Sequence, residues 1–190
     1  LQARFADKTY DFLREINPPG NRESTGLVTR FGLGLSDGTP DFPVRVRLLT
    51  QTDIVKILGN SFLLDFDHQK AAFERPDGAA IRKRLAELRT KTLPTPPGDL
   101  VGDDVLDLIE YFDTFFAGVT AELRTDFWRE AIDLAPRLSG RDRVQLWSLL
   151  WYDFQPLTDL YLTLYDGLQK LGFASEASLG MAALDRKSVV

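Results

Sequence analysis

The chain of 190 residues contains no cysteine and a single histidine, His68. Without cysteine it cannot form disulfides, thiolate zinc sites or a cysteine nucleophile. A metal centre built from several histidines is excluded as well, and a Ser-His-Asp triad could use only His68. No apolar run approaches the roughly 20 residues that a membrane-spanning helix needs, and no signal peptide is visible. These absences remove the common disulfide, zinc and transmembrane classes, and we expect a cytoplasmic protein.

Net positive charge is also absent, because 28 Asp and Glu residues outnumber 23 Lys and Arg residues, which gives a net charge of −5 and a sequence pI of about 5.0. This argues against nucleic-acid partners, which require a positive surface. The charges are segregated along the chain. Residues 75–91 carry a net charge of +4 and residues 104–136 carry −6. Such blocks are usually solvated helix faces, and a contact between the two blocks is the alternative.

Hydrophobic residues make up 44% of the chain, which is enough for a sizeable core. Residues 1–16 fit a helix or, from Tyr10 onward, a strand. Alternating apolar residues predict a β-hairpin over residues 26–50. From Thr52, which we expect to cap a helix, the apolar residues recur at helical spacing. Residues 92–102, with three prolines and two glycines, predict a linker.

Beyond this segment the apolar pattern predicts further helices. Candidate caps are Asp103, Thr125 and either Ser139 or Asp142, and Pro156 should break or kink the chain. The predicted fold is mainly α, a helical bundle with a short N-terminal β-hairpin. The expected divisions are residues 1–66, residues 67–102 with the basic helix and linker, and residues 103–190 with the bundle.

The aromatic residues of the later helices allow two interpretations. Aromatic side chains at helical spacing usually form a core. Trp147, Trp151 and Phe154, however, lie so close together that they exceed what one helical stripe normally buries. The second interpretation is an exposed surface for a protein partner or for self-association. This interpretation gives one candidate function, a non-enzymatic helical interaction module.

A polar segment over residues 17–31 carries the other candidate function. By residue type alone it is best interpreted as a polar turn that leads into a strand. The alternative is a loop that senses the state of a nucleotide, in which a threonine hydroxyl approaches a metal ion. Thr25 meets that requirement, since it lies between a segment rich in proline and glycine and a predicted strand. The glycines of residues 32–38 and the acidic residues 65–68 are better explained by a hairpin turn and a solvated helix end.

Three stretches of the chain resemble SrfC-type bacterial virulence factors: residues 16–20, 23–31 and 46–58. The run Ser24-Thr25-Gly26-Leu27-Val28-Thr29-Arg30 also resembles, more distantly, switch I of dynamin-like GTPases. The resemblance implies that Thr25 helps to hold Mg²⁺, with Thr29 as a weaker second nucleotide-binding residue.

This chain contains no G-x-x-x-x-G-K-[ST] phosphate-binding loop, which supplies the backbone N–H groups and the lysine that bind the phosphates. We therefore expect a fragment of a larger protein, without catalytic residues or a cofactor of its own. The resemblance implies that the β-hairpin is the remnant of an α/β nucleotide-binding domain, and it places Mg²⁺ and GTP in the parent protein.

Overall fold

The computed structural model describes residues 2–5, 8–11, 41–42, 44–65, 74–117, 123 and 126–180. They belong to two compact units. The first unit comprises Leu1–Leu48 and Ser175–Val190, and the second comprises Leu49–Ala174. The expected boundaries at residues 66 and 102 both fall inside the second unit, which contains the first helix, the basic helix and the proline-rich segment.

The first unit begins with a short antiparallel pair of strands. Strand β1 (Gln2–Phe5) pairs with strand β2 (Lys8–Asp11), with Ala3 opposite Tyr10. The predicted fold class, mainly helical with a short antiparallel pair of strands near the N-terminus, is confirmed, although β1 and β2 lie before the hairpin predicted over residues 26–50. For Tyr10, the strand interpretation is correct and the helix interpretation is wrong.

A second antiparallel pair in this unit joins distant parts of the chain. Strand β3 (Val44–Arg47) pairs with strand β4 (Glu176–Leu179), and the Arg45 guanidinium forms an ion pair with the Glu176 carboxylate. The hairpin predicted over residues 26–50 would have paired β3 with residues 27–35, which lie outside the described residues. The strand at 44–47 is confirmed, but the partner seen here lies more than a hundred residues away in sequence.

The second unit is helical, as predicted. Its elements are α1 (Gln51–Asn60), continued by a π-helical turn (Ser61–Asp65), then α2 (Gly78–Arg89), α3 (Gly102–Phe116), α4 (Phe127–Leu134), α5 (Gly140–Trp147) and α6 (Gln155–Lys170). Short 3₁₀ turns, Ala135–Arg137 and Ser148–Trp151, follow α4 and α5.

The cap of α1 differs from the predicted one. Thr50, not Thr52, is the N-cap: its hydroxyl accepts from the Asp53 N–H at 3.1 Å, and the Asp53 carboxylate accepts from the Thr50 N–H at 2.9 Å. The backbone N–H groups of Thr50 and Asp53, which have no partner within the helix, are therefore hydrogen-bonded by each other's side chains. Ser139, one of the two predicted alternatives, is the N-cap of α5. Its hydroxyl accepts from the Asp142 N–H at 3.1 Å.

The start of α3 also departs from the prediction, whereas the break expected at Pro156 is present between α5 and α6. Val101 occupies the N-cap position of α3, where the Asp104 carboxylate accepts the Val101 N–H at 2.8 Å, so Asp103 is not the cap. Pro156 is the second residue of α6 and starts that helix, because a missing N–H costs nothing in the first turn. Thr125 lies outside the described residues.

The helices pack around one core, with α1 against α3 and α6, and with α2 against α4 and α5. The α1–α3 approach is close at Gly59, where a Cβ atom would lie 2.5 Å from Cζ of Phe112. The basic and acidic blocks do meet: Arg82 Nη1 lies 3.3 Å from Asp126 Oδ2, and Arg89 pairs with Glu130. The contact between blocks, considered as an alternative from the sequence, is confirmed.

Candidate functional site

A buried ion pair joins the proline-rich segment to α5. The side chains of Arg143 and Asp99 are 0% and 6% exposed. Two parallel bonds connect them, Nη2 to Oδ1 at 3.0 Å and Nη1 to Oδ2 at 3.1 Å. The remaining three donors of the guanidinium reach the Ala135 carbonyl at 2.8 Å, the Leu138 carbonyl at 3.0 Å and Gln51 Oε1 at 2.6 Å. All five N–H groups of Arg143 are therefore satisfied.

The Asp99 carboxylate also accepts several hydrogen bonds. Besides Arg143, it accepts from the Tyr165 hydroxyl at 3.0 Å and from Gln51 Nε2 at 3.2 Å. Burial alone would raise the pKa of Asp99, but the hydrogen bond and charge of Arg143, with the bonds from Tyr165 and Gln51, outweigh burial and hold the pKa below its ordinary 3.8. An ionised carboxylate with this many donors is a poor general base, and the pair acts as a structural clasp.

Two tyrosines lie against this clasp. Burial, followed by the charge of Asp99 and the hydrogen bond to it, raises the pKa of Tyr165 to about 12. Tyr161 stacks on Tyr165 with ring centroids 6.2 Å apart, and burial raises the pKa of its phenol above the ordinary range. Both phenols are therefore neutral at physiological pH.

The clasp fixes residues 92–102, which the sequence analysis interpreted as a linker. Gln51 belongs to α1, Arg143 to α5 and Tyr165 to α6, so one carboxylate of the proline-rich segment connects three helices. The spacing of residues on α5 indicates the inward position of Arg143. Arg143 follows Gly140 by three residues and precedes Trp147 by four, so it lies on the inward face of α5.

The expected partner surface of Trp147, Trp151 and Phe154 is not exposed. Both tryptophans are 0% exposed, and Phe154 is half-buried with its ring 6.4 Å from that of Phe62. The expectation of an exposed surface is wrong because α5 tightens into the 3₁₀ turn Ser148–Trp151. All four residues of that turn are buried, so this segment buries more aromatic area than one helical stripe could. The alternative interpretation as core residues is correct.

Thr25 and Thr29, the candidate switch and Mg²⁺ residues, lie outside the described residues, as does His68. In the part of the chain that the structure describes, no three His, Cys, Asp or Glu side chains group closely enough to hold a metal ion. Nor does any described helix combine the length and apolar character needed to cross a bilayer.

Two exposed apolar side chains lie near the C-terminal ends of α1 and α3, which run side by side. Lys56 Nζ lies 2.5 Å from Asp107 Oδ2, and the Asn60 amide donates to the Tyr111 hydroxyl. Both pairs differ by 51 positions, so the two helices are parallel with a constant offset. Leu64, in the π-helical turn that continues α1, and Phe115 of α3 are separated by the same 51 positions.

Leu64 and Phe115 are 68% and 66% exposed, the largest values among the exposed large hydrophobic residues of the described chain. The half-buried Tyr111 ring lies 5.0 Å from the Phe115 ring. We call Leu64, Tyr111 and Phe115 the α1–α3 edge. Apolar spacing alone would place Phe115 on the buried face of α3, whereas of the three phenylalanines of this helix only Phe112 and Phe116 are buried.

Comparison with known proteins shows the family of the chain. No curated protein and no solved structure matches it. A family described as "putative bacterial virulence factor" matches residues 1–189. The resemblance to bacterial virulence factors is thereby confirmed, and the chain belongs to that family.

Proposed function

We propose that the helical unit of this virulence-factor family member is a non-enzymatic protein-interaction module, whose contact surface is the α1–α3 edge. The observation that carries the proposal is the pair of largest apolar exposures, Leu64 and Phe115, on adjacent helices next to Tyr111. Exposed apolar side chains that cluster on one surface mark protein contacts far more often than scattered ones do.

The chemistry of the described residues supports contact rather than catalysis. The three groups with clearly shifted pKa values, Asp99, Tyr161 and Tyr165, all belong to the clasp or lie against it. Shifted groups often mark active sites, but structural ion-pair networks shift pKa values too. The clasp has its donors and acceptors paired with one another. In contrast, the α1–α3 edge has an aromatic anchor and a partly buried tyrosine, which are residues enriched at binding hot spots.

Site-specific photocrosslinking in the bacterium tests this module. A photoreactive phenylalanine analogue at position 115 is expected to give a discrete crosslinked species, because a partner seated on the edge touches this side chain. The same analogue at position 141, on an exposed part of α5, is the control and should give none. Equal crosslinking from both positions, or no species from position 115, contradicts the proposal.

We further propose that the parent protein is a GTPase-related protein of dynamin-like ancestry and that residues 17–31 form its switch I segment. The support is the run Ser24–Arg30, in which Thr25 would bind Mg²⁺ and Thr29 would assist nucleotide binding. This proposal is independent of the interaction module, since dynamin-like proteins combine a nucleotide-binding domain with helical assembly elements.

Isothermal titration with GTP or GDP and Mg²⁺ tests the switch. This chain is expected to show no binding, because it lacks a phosphate-binding loop, and a version extended upstream is expected to bind. Thr25→Ala should weaken binding by the extended version more than Thr29→Ala does. If the extended version does not bind either nucleotide, or if Thr25→Ala leaves its affinity unchanged, the switch assignment is wrong.

A further inference from the structure

We infer that the exposed side of α6 is a self-association surface, on which the α6 helices of two copies of the chain pack antiparallel about a twofold axis. This inference goes beyond the proposed interaction module and does not depend on it, because α6 contributes no residue to the α1–α3 edge. We define the α6 face by four residues: Leu160, Thr163, Gly167 and Leu171.

The α6 face lies on one side of the helix, because its members recur every three or four residues. Leu160 and Leu171 are 44% and 52% exposed, and Thr163 between them is exposed as well. The buried residues of α6 lie on another side: Leu157, Tyr161, Tyr165 and Leu168. From Leu160 to Leu171 the helix rises by about 17 Å, so exposed leucines lie at both ends of a surface three turns long.

Gly167 is the member of this face that the chain itself does not explain. Glycine inside a helix is destabilising relative to alanine, and no heavy atom lies within 4 Å of the Cβ position at Gly167. At Gly140, in contrast, the Tyr165 ring occupies that position. Helix termination does not require Gly167 either, since Gly172, with a φ angle of 62°, follows the end of α6. A helix from outside the chain would explain it, because a residue without Cβ lets two backbones approach closely.

Asp159 and Lys170 flank the α6 face, each one residue before a leucine of the face. Both are exposed, and neither forms an ion pair with a described residue. Asp166, between them in sequence, lies 3.3 Å from the Arg141 guanidinium and is therefore compensated within the chain. The face thus has an unpaired negative charge near its N-terminal end and an unpaired positive charge near its C-terminal end.

A second copy of the chain, turned end to end, complements both ends of this face at once. A twofold axis perpendicular to α6 brings Asp159 of each copy beside Lys170 of the other, on the same flank of the helix pair. In that register Gly167 lies nearly level with Thr163 of the second copy. Leu160 and Leu171 of the second copy are then level to within about 3 Å along the helix axis. Small residues would meet at the centre and leucines at the ends.

Other occupants match less of the α6 face. A basic partner would gain a contact with Asp159 but meet Lys170, and an acidic partner, nucleic acid or an anionic membrane would meet the reverse arrangement. None of these charge patterns requires the glycine. The paired charges and Gly167 together therefore favour a second copy.

Sedimentation velocity over a range of chain concentrations tests the inference. Because a surface of this length is at the small end of protein interfaces, we expect a Kd on the order of 10–100 µM. Gly167→Gln should weaken dimerisation by more than about tenfold, since its side chain would occupy the space of the second helix without adding apolar surface. Gly102→Gln is the matched control, because its Cβ position is equally open, and it should leave dimerisation unchanged.

Charge reversal tests the antiparallel register. Asp159→Lys and Lys170→Glu should each weaken dimerisation by about tenfold, because each variant sets like charges against each other at both ends of the pair. A mixture of the two variants should associate about as tightly as wild type, since both contacts of a mixed dimer join opposite charges. Labelled Asp159→Lys titrated with unlabelled Lys170→Glu in fluorescence-detected sedimentation measures this rescue.

These outcomes separate the inference from the proposed interaction module. A chain that stays monomeric well above about 100 µM, or a dimer that Gly167→Gln leaves intact, overturns the inference. So do charge variants that dimerise like wild type, or a mixture that associates no better than either variant alone. Loss of the dimer in Phe115→Ser would place self-association on the α1–α3 edge, which also overturns the inference but supports the module. Circular dichroism confirms the fold of each variant, and failure of position 115 to crosslink contradicts the module alone.

Discussion

Replacing Arg143 by alanine is expected to lower the free energy of unfolding by about 3–5 kcal/mol, the cost of removing one partner from a buried ion pair. The variant would leave the Asp99 carboxylate buried without its bidentate partner. It would also leave the carbonyls of Ala135 and Leu138 and the amide oxygen of Gln51 without the donors that reach them now. Urea unfolding followed by circular dichroism measures the change.

Arg141 is the matched control, two residues away on the same helix. Its guanidinium is 73% exposed and lies 3.3 Å from the Asp166 carboxylate. Arg141→Ala should cost less than about 1 kcal/mol, because exposed ion pairs contribute little. Similar values for Arg141→Ala and Arg143→Ala would mean that the clasp is no more than a surface pair and would contradict our assignment.

Acid provides a second readout of the clasp. The pKa of Asp99 is lower in the folded protein than its ordinary 3.8. Its stabilisation is therefore present above pH 4 and is lost as the pH falls through the folded value. In Arg143→Ala, burial would dominate and raise the pKa of Asp99, so protonation would favour the folded variant. The difference in unfolding free energy between wild type and variant should thus begin to narrow above pH 4, as Asp99 of the variant takes up a proton, and narrow further below pH 4, as the wild type loses its stabilisation.

The sequence predicted those parts of the fold that depend on local periodicity. Ile54, Leu58 and Phe62, which recur every four residues, are buried on one side of α1 and its π-helical extension, as expected. The contact between the basic and acidic blocks was also among the predicted alternatives. Charge and periodicity are properties of the residues themselves, and they survive in the folded chain because apolar side chains are buried and opposite charges pair.

Contacts between distant segments could not be predicted in the same way. Asp99 and Arg143 are 44 positions apart, and a carboxylate beside prolines in an apparently flexible segment gives no sign of burial. The corner between α5 and α6 is another example. Tyr152 and Asp153 both have positive φ angles, 50° and 55°, which non-glycine residues adopt only where surrounding contacts impose them. The Arg84–Asp153 pair supplies one such contact from α2.

In the candidate site, too, the features that depend on local spacing were predictable and those that depend on contacts between helices were not. The spacing of the tryptophans indicates more aromatic residues than one face of a helix normally buries. The 3₁₀ turn that buries them, however, depends on how α5 meets α6. The α1–α3 edge depends on the parallel offset between two helices, which Lys56–Asp107 and Asn60–Tyr111 reveal only in three dimensions. A helical periodicity assigns a residue to a face, whereas its exposure depends on where the neighbouring helix ends.

The clasp also explains why residue 140 must be glycine. A Cβ atom there would overlap Cζ and the hydroxyl of Tyr165, whose ring is held between the start of α5 and Asp99. Gly140→Ala should therefore displace the ring and weaken its bond to the carboxylate. We expect a loss of about 3 kcal/mol in unfolding free energy, which combines overpacking with a weakened charge-assisted hydrogen bond.

Gly167→Ala is the opposite control. No heavy atom lies within 4 Å of the Cβ position at Gly167 in α6. Because alanine is the better helix former, this variant should be more stable by up to about 1 kcal/mol. Two glycine-to-alanine changes in one helical unit are thus expected to shift stability in opposite directions. Destabilisation by both would indicate a general intolerance of this unit rather than a close approach at Gly140.

Alkaline unfolding shows whether the Tyr165 ring has moved. The folded pKa of Tyr165 is about 12 against an ordinary 10.0, so its contribution is fully present below pH 10 and is lost as the pH rises through 12. If Gly140→Ala pushes the Tyr165 hydroxyl away from Asp99, the free energy of unfolding should fall less steeply between pH 10 and 12 than it does in wild type. It should approach the decline of Tyr165→Phe, which has no phenol to ionise. An unchanged alkaline decline in Gly140→Ala would mean that the backbone, not the ring, yields to the added methyl group.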